Sequence, residues 1–310
     1  LVGSEMCIRD SKQLGALAAL TMEQPLDKLQ GKLAALYRPD QTRFIWFSQE
    51  CASTFSEHDI QKLKATLLSP PVVSQQESDS LTEDSYHHDR LASVVFTSGS
   101  TEEPKAVVHT HRQHLASAEG LLQEFIFTQQ DAWLLSLPLY HVSGLAIVYR
   151  WLYVGATLKV GSGKLVDDVQ GVSHASLVAT QLKRLLDDDA HLSLTHVLLG
   201  GSHVDHELAL RATGQGIETW LGYGMTEAAS TVTAKRIDST SNAGHVLKHR
   251  KIKLVDQRIF VGGKTLAAGY FHQGHVTPFL DEKGWFDSKD LGEWQGCLLY
   301  TSDAADDTCC

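Results

Sequence analysis

The sequence predicts an α/β fold with mixed, largely parallel sheets, flanking helices and a smaller β-rich part. Two observations lead there. Between residues 92 and 221, short apolar runs alternate with stretches of helical spacing, and Gly-, Ser- and Thr-rich loops part them. Such alternation marks parallel strands joined by crossover helices. Further on, 252–256 and 258–261 read as a hairpin-type pair in a more β-rich terminal part.

Taken in order, 92–96 is a short apolar strand, 97–105 a Ser/Thr/Gly loop, and 106–109 a second strand. Leu115, Ala118, Leu122 and Phe125 then recur at helical spacing and give one apolar face. Residues 132–137 read as a buried strand stopped by Pro138. The pattern continues with a helix at 176–186, a strand at 196–199, and a Gly200-Gly201 turn into a helix over 205–213. A strand at 219–221 leads into a loop at Gly222, and the polar, turn-rich 70–89 is a surface connection. In sheets of this class, ligands bind at loops beyond the carboxyl ends of the strands.

With 310 residues, 43% of them hydrophobic, the chain can bury a large core. A net charge of −10 excludes attraction to nucleic acid or anionic lipid unless a basic patch is concentrated somewhere. The densest basic stretch, 248–253, is short and ends in a strand-like run, so any phosphate binding must be local. The most apolar region, 133–158, is broken by Pro138, His141 and Arg150 and reads as protein core rather than a membrane span. Residues 1–10 mix charge, Gly and Cys without an apolar run, which argues against a signal peptide. Five cysteines match neither a zinc site nor a disulfide framework, and the reading is a reducing, cytoplasmic setting. Residues 1–11 and 297–310 fit poorly with what lies between them; the second, CLLYTSDAADDTCC, has no periodicity. They resemble translated adapter read-through, with disordered tails as the alternative, and the folded domain is placed at 12–296.

The sharpest chemical signal is FTSGSTEEPK at 96–105, where a strand runs into small hydroxyl residues and Gly, then a Lys. Small residues let backbone N–H groups approach a phosphate chain, hydroxyls add donors, and Lys105 supplies charge. Gly263-Lys264-Thr265 imitates the end of a P-loop, but Arg258 stands where its first Gly should be. Gly161 and Gly163 begin a dinucleotide pattern that fails at Val166. His203, Asp205 and His206 at a helix start read as a cap and solvated surface rather than a metal site.

The loop resembles the signature loop of the adenylate-forming superfamily, which includes acyl-CoA ligases, luciferases and peptide-synthetase adenylation domains. Three more segments follow in that superfamily's order. LPLYHVSG at 137–144 resembles its acyl-pocket motif, LGYGMTE at 221–227 its adenine and Mg²⁺ motif, and WFDSKDLG at 285–292 its ribose motif. The resemblance covers roughly 14–295 and implies the large N-terminal domain of that fold, without its mobile C-terminal domain. Single motifs have ordinary explanations: a cap for Thr226, a surface carboxylate for Glu227, a turn for Gly200-Gly201. Four in order do not.

By this resemblance Thr97, Ser98, Gly99, Ser100, Thr101 and Lys105 embrace the triphosphate. Gly200, Gly201 and Ser202 line the adenine side with Gly222, Tyr223, Gly224 and Met225, Tyr223 stacking on the base. Thr226 donates to the α-phosphate, Asp290 grips the ribose, and Glu227 is an oxygen ligand for Mg²⁺. His141, Ser143 and Gly144 border the acid, His141 orienting its carboxylate. Lys105, Thr226 and His141 are the catalytic candidates. The co-substrates are ATP with Mg²⁺ and, in a second half-reaction, coenzyme A. PLYHVSGLAIVYRWL, GYGMTEAASTVTAKR and GKTLAAGYF are most similar to the 2-succinylbenzoate–CoA ligases of bacterial menaquinone synthesis. Other aryl- or fatty-acyl-CoA ligases, or a non-catalytic nucleotide-binding remnant, are the alternatives.

Two departures from the superfamily pattern stand out. Glu102 occupies a position that is usually Gly and sets an anion beside the triphosphate. Lys248-His249 stands where Pro-Gly is common. The superfamily's first strands and its C-terminal domain, which carries an essential Lys, have no counterpart here, so weak or absent full ligation is expected of this polypeptide.

Overall fold

The computed structural model describes residues 17–21, 24–47, 54–68, 87–97, 105–188, 192–200, 204–296 and 298–302. They fall into two compact units. The first draws on Leu1–Arg112, Leu139–His141 and Ala267–Phe279, and the second on Gln113–Pro138, Val142–Leu266 and Leu280–Cys310.

The first unit is built on a five-stranded sheet in the order β1 (Ala18–Leu20), β4 (Leu91–Thr97), β5 (Lys105–Thr110), β15 (Gly269–His272) and β16 (His275–Thr277). Only β1 and β4 run parallel. Val94, Ala106 and Val108 are buried on one face among Leu36, Phe96 and Phe271. A small parallel pair, β2 (Arg43–Ile45) and β3 (Ala65–Leu67), packs with helix Leu26–Leu36 around Leu29, Leu33, Phe47 and Leu63. Helix Glu57–Lys62 begins at a capping box in which Ser56 and Asp59 satisfy each other's backbone N–H groups.

The second unit holds a seven-stranded sheet in the order β12 (His245–Val246), β11 (Ser230–Arg236), β10 (Glu218–Met225), β9 (His196–Leu199), β8 (His174–Leu177), β6 (Ala132–Leu135) and β7 (Thr157–Val160). The five strands from β7 to β10 are parallel, β11 is antiparallel to β10, and β12 is antiparallel to β11. Helix His111–Leu122 leads into β6, and helices Val142–Val154, Ala179–Asp187 and His206–Gly214 join strands of this sheet. Asp205 caps His206–Gly214 by accepting from the Glu207 N–H at 3.0 Å. Leu134, Ala175, Leu177, Val197 and Leu199 pack against Leu182, Leu185 and Leu208 of those helices. The β-rich part is an antiparallel sheet of β13 (Arg250–Val255), β14 (Arg258–Gly263), β17 (Phe286–Gln295) and β18 (Leu298–Ser302).

Three local expectations change. The helix read at 176–186 begins at Ala179, and Ser176 and Leu177 belong to β8. Four consecutive buried residues give no alternation, so this strand blends into the helical pattern that follows. The loop read at Gly222 is strand: β10 continues to Met225 against β11, with a bulge between Tyr223 and Gly224. Within 297–310, expected to lie outside the fold, the described Leu298–Ser302 pairs with β17 and Leu299 is fully buried.

The Lys248-His249 departure also takes a shape. His249 has φ 69, the left-handed region where glycine sits without strain. Glu119 offsets part of the cost, meeting Lys248 at 2.7 Å and His249 at 2.9 Å. Lys248 first and His249 second hold its carboxyl below the usual glutamate range. His249→Gly should raise stability by about 0.5–1 kcal/mol, the relief of strain exceeding the loss of a partly buried ion pair. Chemical denaturation would check this, and a destabilised variant would contradict it.

Candidate active site

The signature loop is held at its two ends by one register pair. Thr97, last in β4, lies opposite Lys105, first in β5. Lys105 is exposed, its ammonium 5.5 Å from the centre of the Tyr270 ring. The loop residues Ser98, Gly99, Ser100, Thr101 and Glu102 lie outside the described residues, as do Gly201 and Ser202.

His141 belongs to the same unit as Lys105 and is half-buried, its ring 4.7 Å from that of Tyr140. Burial first and the charge of Lys32 second push its imidazole below the usual histidine range, which favours the neutral form. Lys32 donates to the Thr21 hydroxyl and lies 4.9 Å from the Phe96 ring centre. Its own ammonium is brought down to about 8, by burial and then by Lys28.

The remaining candidates lie in the second unit. Gly200 follows β9 and is exposed. Gly222, Tyr223, Gly224 and Met225 form the end of β10, and Thr226 and Glu227 the tight turn that follows. A side chain at Gly224 would meet the Ser230 carbonyl oxygen at 2.0 Å, so only glycine lets the two strands close at the bulge. At the start of helix Val142–Val154, a Cβ on Gly144 would lie 2.2 Å from the Pro138 carbonyl oxygen; Ser143 beside it is half-buried.

Tyr223 and Asp290, read separately from the sequence, meet directly. The tyrosine hydroxyl donates to Asp290 Oδ2 at 2.6 Å. Burial, and then the Asp290 charge, raise the phenol well above its ordinary range, so it stays a donor. Asp290 is further set by its N–H, which donates to Ser288 Oγ at 3.1 Å, while the Ser288 hydroxyl donates to the Ile259 carbonyl. One carboxylate oxygen is thereby committed to the ring and the other is left for a further donor.

Sequence reasoning treated Arg150 only as an interruption of an apolar run. It is 2% exposed on helix Val142–Val154, and no carboxylate pairs with it among the described residues. Its Nη2 reaches Thr231 Oγ1 at 3.4 Å, and its guanidinium lies 5.1 Å from the Trp133 ring centre, with Nε unpartnered. Thr231 is the register partner of Gly224, so this cation lies against the strand facing the Tyr223–Gly224 motif. Burial first, then the charge of Arg250, brings it down to about 9. A charged residue inside an otherwise apolar helix was the available signal.

The rejected pattern at Gly161 and Gly163 is satisfied from within. The N–H groups of Ser162 and Gly163 donate to Asp168, which fills the loop where a phosphate would have to lie. Among the described residues no three His, Cys, Asp or Glu side chains gather as a metal site, and no helix is long and apolar enough to cross a membrane. A single carboxylate fits Mg²⁺ that takes its other oxygens from phosphates and water, which is the expectation for Glu227.

The 2-succinylbenzoate–CoA ligase of Salmonella typhimurium is 47% identical over 205 residues, which make up 66% of this chain and 45% of that protein. The corresponding ligase of Escherichia coli is 45% identical over 205 residues, with 66% and 46% covered. The chain thus spans less than half the length of these curated relatives. Wild-type E. coli MenE, solved with a bound m-phenylether-linked analogue of OSB-AMS, superimposes with a TM-score of 0.68 at 31% identity, covering 94% of this chain and 76% of that one. MenE from Bacillus subtilis in complex with AMP shares the fold at a TM-score of 0.81 and 23% identity, covering 99% and 85%. The family model described as AMP-binding enzyme matches residues 16–271, and with the adenylate-forming architecture above it the chain belongs to that family.

Proposed function

We propose that this chain carries the acid and nucleotide sites of an ATP-dependent acid–thiol ligase that activates 2-succinylbenzoate as its adenylate. The observation that carries the choice of acid is Arg150, a buried guanidinium without a carboxylate among the described residues, set against the strand that faces the nucleotide motif. An isolated buried charge is costly and calls for a counter-ion. 2-Succinylbenzoate has two carboxylates: one to react and one to pair with Arg150.

In the reaction, a carboxylate oxygen forms a bond to the α-phosphorus of ATP as the bond to pyrophosphate breaks. Two anions approach one another, so positioning and charge neutralisation make up most of the work. Lys105 supplies positive charge, Thr226 donates to the α-phosphate, and neutral His141 orients the attacking carboxylate. Tyr223 stacks on adenine, and Asp290 accepts from the ribose. Bound at Glu227, Mg²⁺ would offset charge on the triphosphate. In the full-length enzyme, the coenzyme A thiol then attacks the acyl carbonyl and AMP departs. The bacterial ligases named above support this reading. Glu102 favours a second one, a remnant with a weakened triphosphate site.

Exchange of pyrophosphate into ATP separates them, measured on this chain and on the chain joined to a relative's C-terminal domain. Exchange should depend on 2-succinylbenzoate, and Glu102→Gly should lower the KM for ATP by up to about tenfold, the effect of removing one partly screened charge. Equal or faster exchange with a medium-chain fatty acid would overturn the choice of acid. ATP binding without exchange in both proteins would leave the remnant reading, and failure to bind ATP would overturn both.

A further inference from the structure

We propose that Arg250 is a positioning residue for the Thr226–Glu227 turn and acts through Ser117. This rests on the reading of that turn as the place where the triphosphate is held. The turn ends in strain. Ala229 has φ 53 and Ser230 has φ 86, two successive non-glycine residues in the left-handed region. Such backbone persists only where its surroundings over-determine it. Ala229 N–H donates to the Thr226 carbonyl at 3.2 Å, which closes the turn from within. From outside, the Ser117 hydroxyl donates to the Ala229 carbonyl.

Ser117 is in turn gripped by Arg250. Nη2 donates to Ser117 Oγ at 2.8 Å and to the Ser117 carbonyl at 3.0 Å, while Nη1 donates to the Lys248 carbonyl at 2.9 Å. A guanidinium that donates to a hydroxyl oxygen polarises it and strengthens the bond which that hydroxyl makes. All these groups lie within the second unit, and Arg250, Ser117 and Ala229 are 6%, 4% and 0% exposed.

The surroundings are shaped to admit this cation. A Cβ on Gly120 would lie 2.0 Å from Nη1, so helix His111–Leu122 has its one side-chain-free position where the guanidinium passes. No acid among the described residues pairs with Arg250, although Glu119 lies next to Gly120 in sequence and pairs with Lys248 and His249 instead. Its Nε has no partner either. An ion pair is therefore not what keeps a charged group at this place. A planar fork of donors reaching the Ser117 hydroxyl and the carbonyls of Ser117 and Lys248 is.

The test compares equilibrium binding of Mg·ATP and of adenosine to the unsubstituted chain and to Ser117→Ala, Ser117→Thr and Arg250→Lys, with circular dichroism on each. Adenosine lacks the phosphates that meet Thr226 and Glu227 and reports on Tyr223 and Asp290. Ser117→Ala should weaken Mg·ATP about tenfold and leave adenosine within about twofold, the size of one lost charge-assisted contact. Arg250→Lys should act in the same direction, and Ser117→Thr, which keeps the hydroxyl, should restore binding. A merely structural role would move both ligands together, so equal losses for Ser117→Ala, or no loss, would overturn the relay while leaving the nucleotide site standing. If the unsubstituted chain binds neither ligand, the nucleotide reading falls and the relay falls with it.

Discussion

Arg150→Met is expected to stabilise the free chain by about 1–3 kcal/mol and to weaken its hold on 2-succinylbenzoate about a hundredfold. The two effects have one origin. The guanidinium is 2% exposed, with one long hydrogen bond to Thr231 and the face of Trp133 as its offsets. Those contacts are worth roughly 1–2 kcal/mol together, less than the several kcal/mol that an ion loses on leaving water. A methionine of similar length removes the charge and keeps most of the packing. With a dicarboxylate bound, the same charge meets an anion in a dry place, where losing one partner costs about 2–5 kcal/mol. Urea denaturation gives the first quantity and titration calorimetry in the presence of ATP the second. Benzoate, which lacks the second carboxylate, serves as the control and should bind both proteins alike. A loss of stability in Arg150→Met, or an equal loss for benzoate, would refute the assignment.

Acid should unfold the second unit through His174. This side chain is 1% exposed at the start of β8, its Nε2 2.7 Å from the Ile126 carbonyl and its Nδ1 2.8 Å from Ser173 Oγ. The groups facing it are the ring of His196, stacked at 4.7 Å with an interplanar angle of 2°, and Asp131 Oδ1 at 3.9 Å; Glu218 lies 4.0 Å from His196. Phe125, Phe127 and Trp133 enclose the remainder. Burial outweighs the carbonyl and Asp131 and brings the imidazole down to about 4. A folded-state value below the unfolded one means that the unfolded chain binds the extra proton. The stabilisation is therefore complete above about pH 6.5 and is lost as pH falls toward 4. The shift corresponds to roughly 3 kcal/mol across that window. His174→Gln should lower stability at pH 7.5 and flatten its decline between pH 6.5 and 4. A decline of unchanged steepness would assign the acid sensitivity to other groups.

Much of this was legible from residues alone, for reasons that differ by element. The strand read at 196–199 matches β9 because the short apolar run at 197–199 between polar and glycine residues has few other solutions. The pair at 252–256 and 258–261 matches β13 and β14, where alternation in sequence becomes alternation across an antiparallel hairpin. Helix Val142–Val154 was read only as core, since Val142 and every residue from Gly144 to Arg150 is buried and no polar face betrays its period. The motifs located Tyr223 and Asp290, but their bond joins residues 67 apart and depends on how β10 and β17 are placed. Arg150 and Arg250 escaped for a related reason. An arginine is ordinarily a surface residue, and only burial without an acid makes either one notable.

The strand pairing of the second unit has a further bearing on how such a protein can diverge. Gly200 comes directly after β9 and Gly222 lies within β10, neighbouring strands that run parallel with Leu199 opposite Leu221. Their separation across the sheet is thus inherited from strand spacing, about 4.8 Å, and cannot drift one substitution at a time. Arg150 stands on a single connecting helix, and no ladder of backbone bonds fixes what occupies its position. On the function proposed above, descendants of one ancestor could exchange that side chain, and with it the acid they accept, while the nucleotide apparatus stayed untouched. Selectivity and energy supply are in this sense inherited separately: one is open to single mutations, and the other is locked into the sheet.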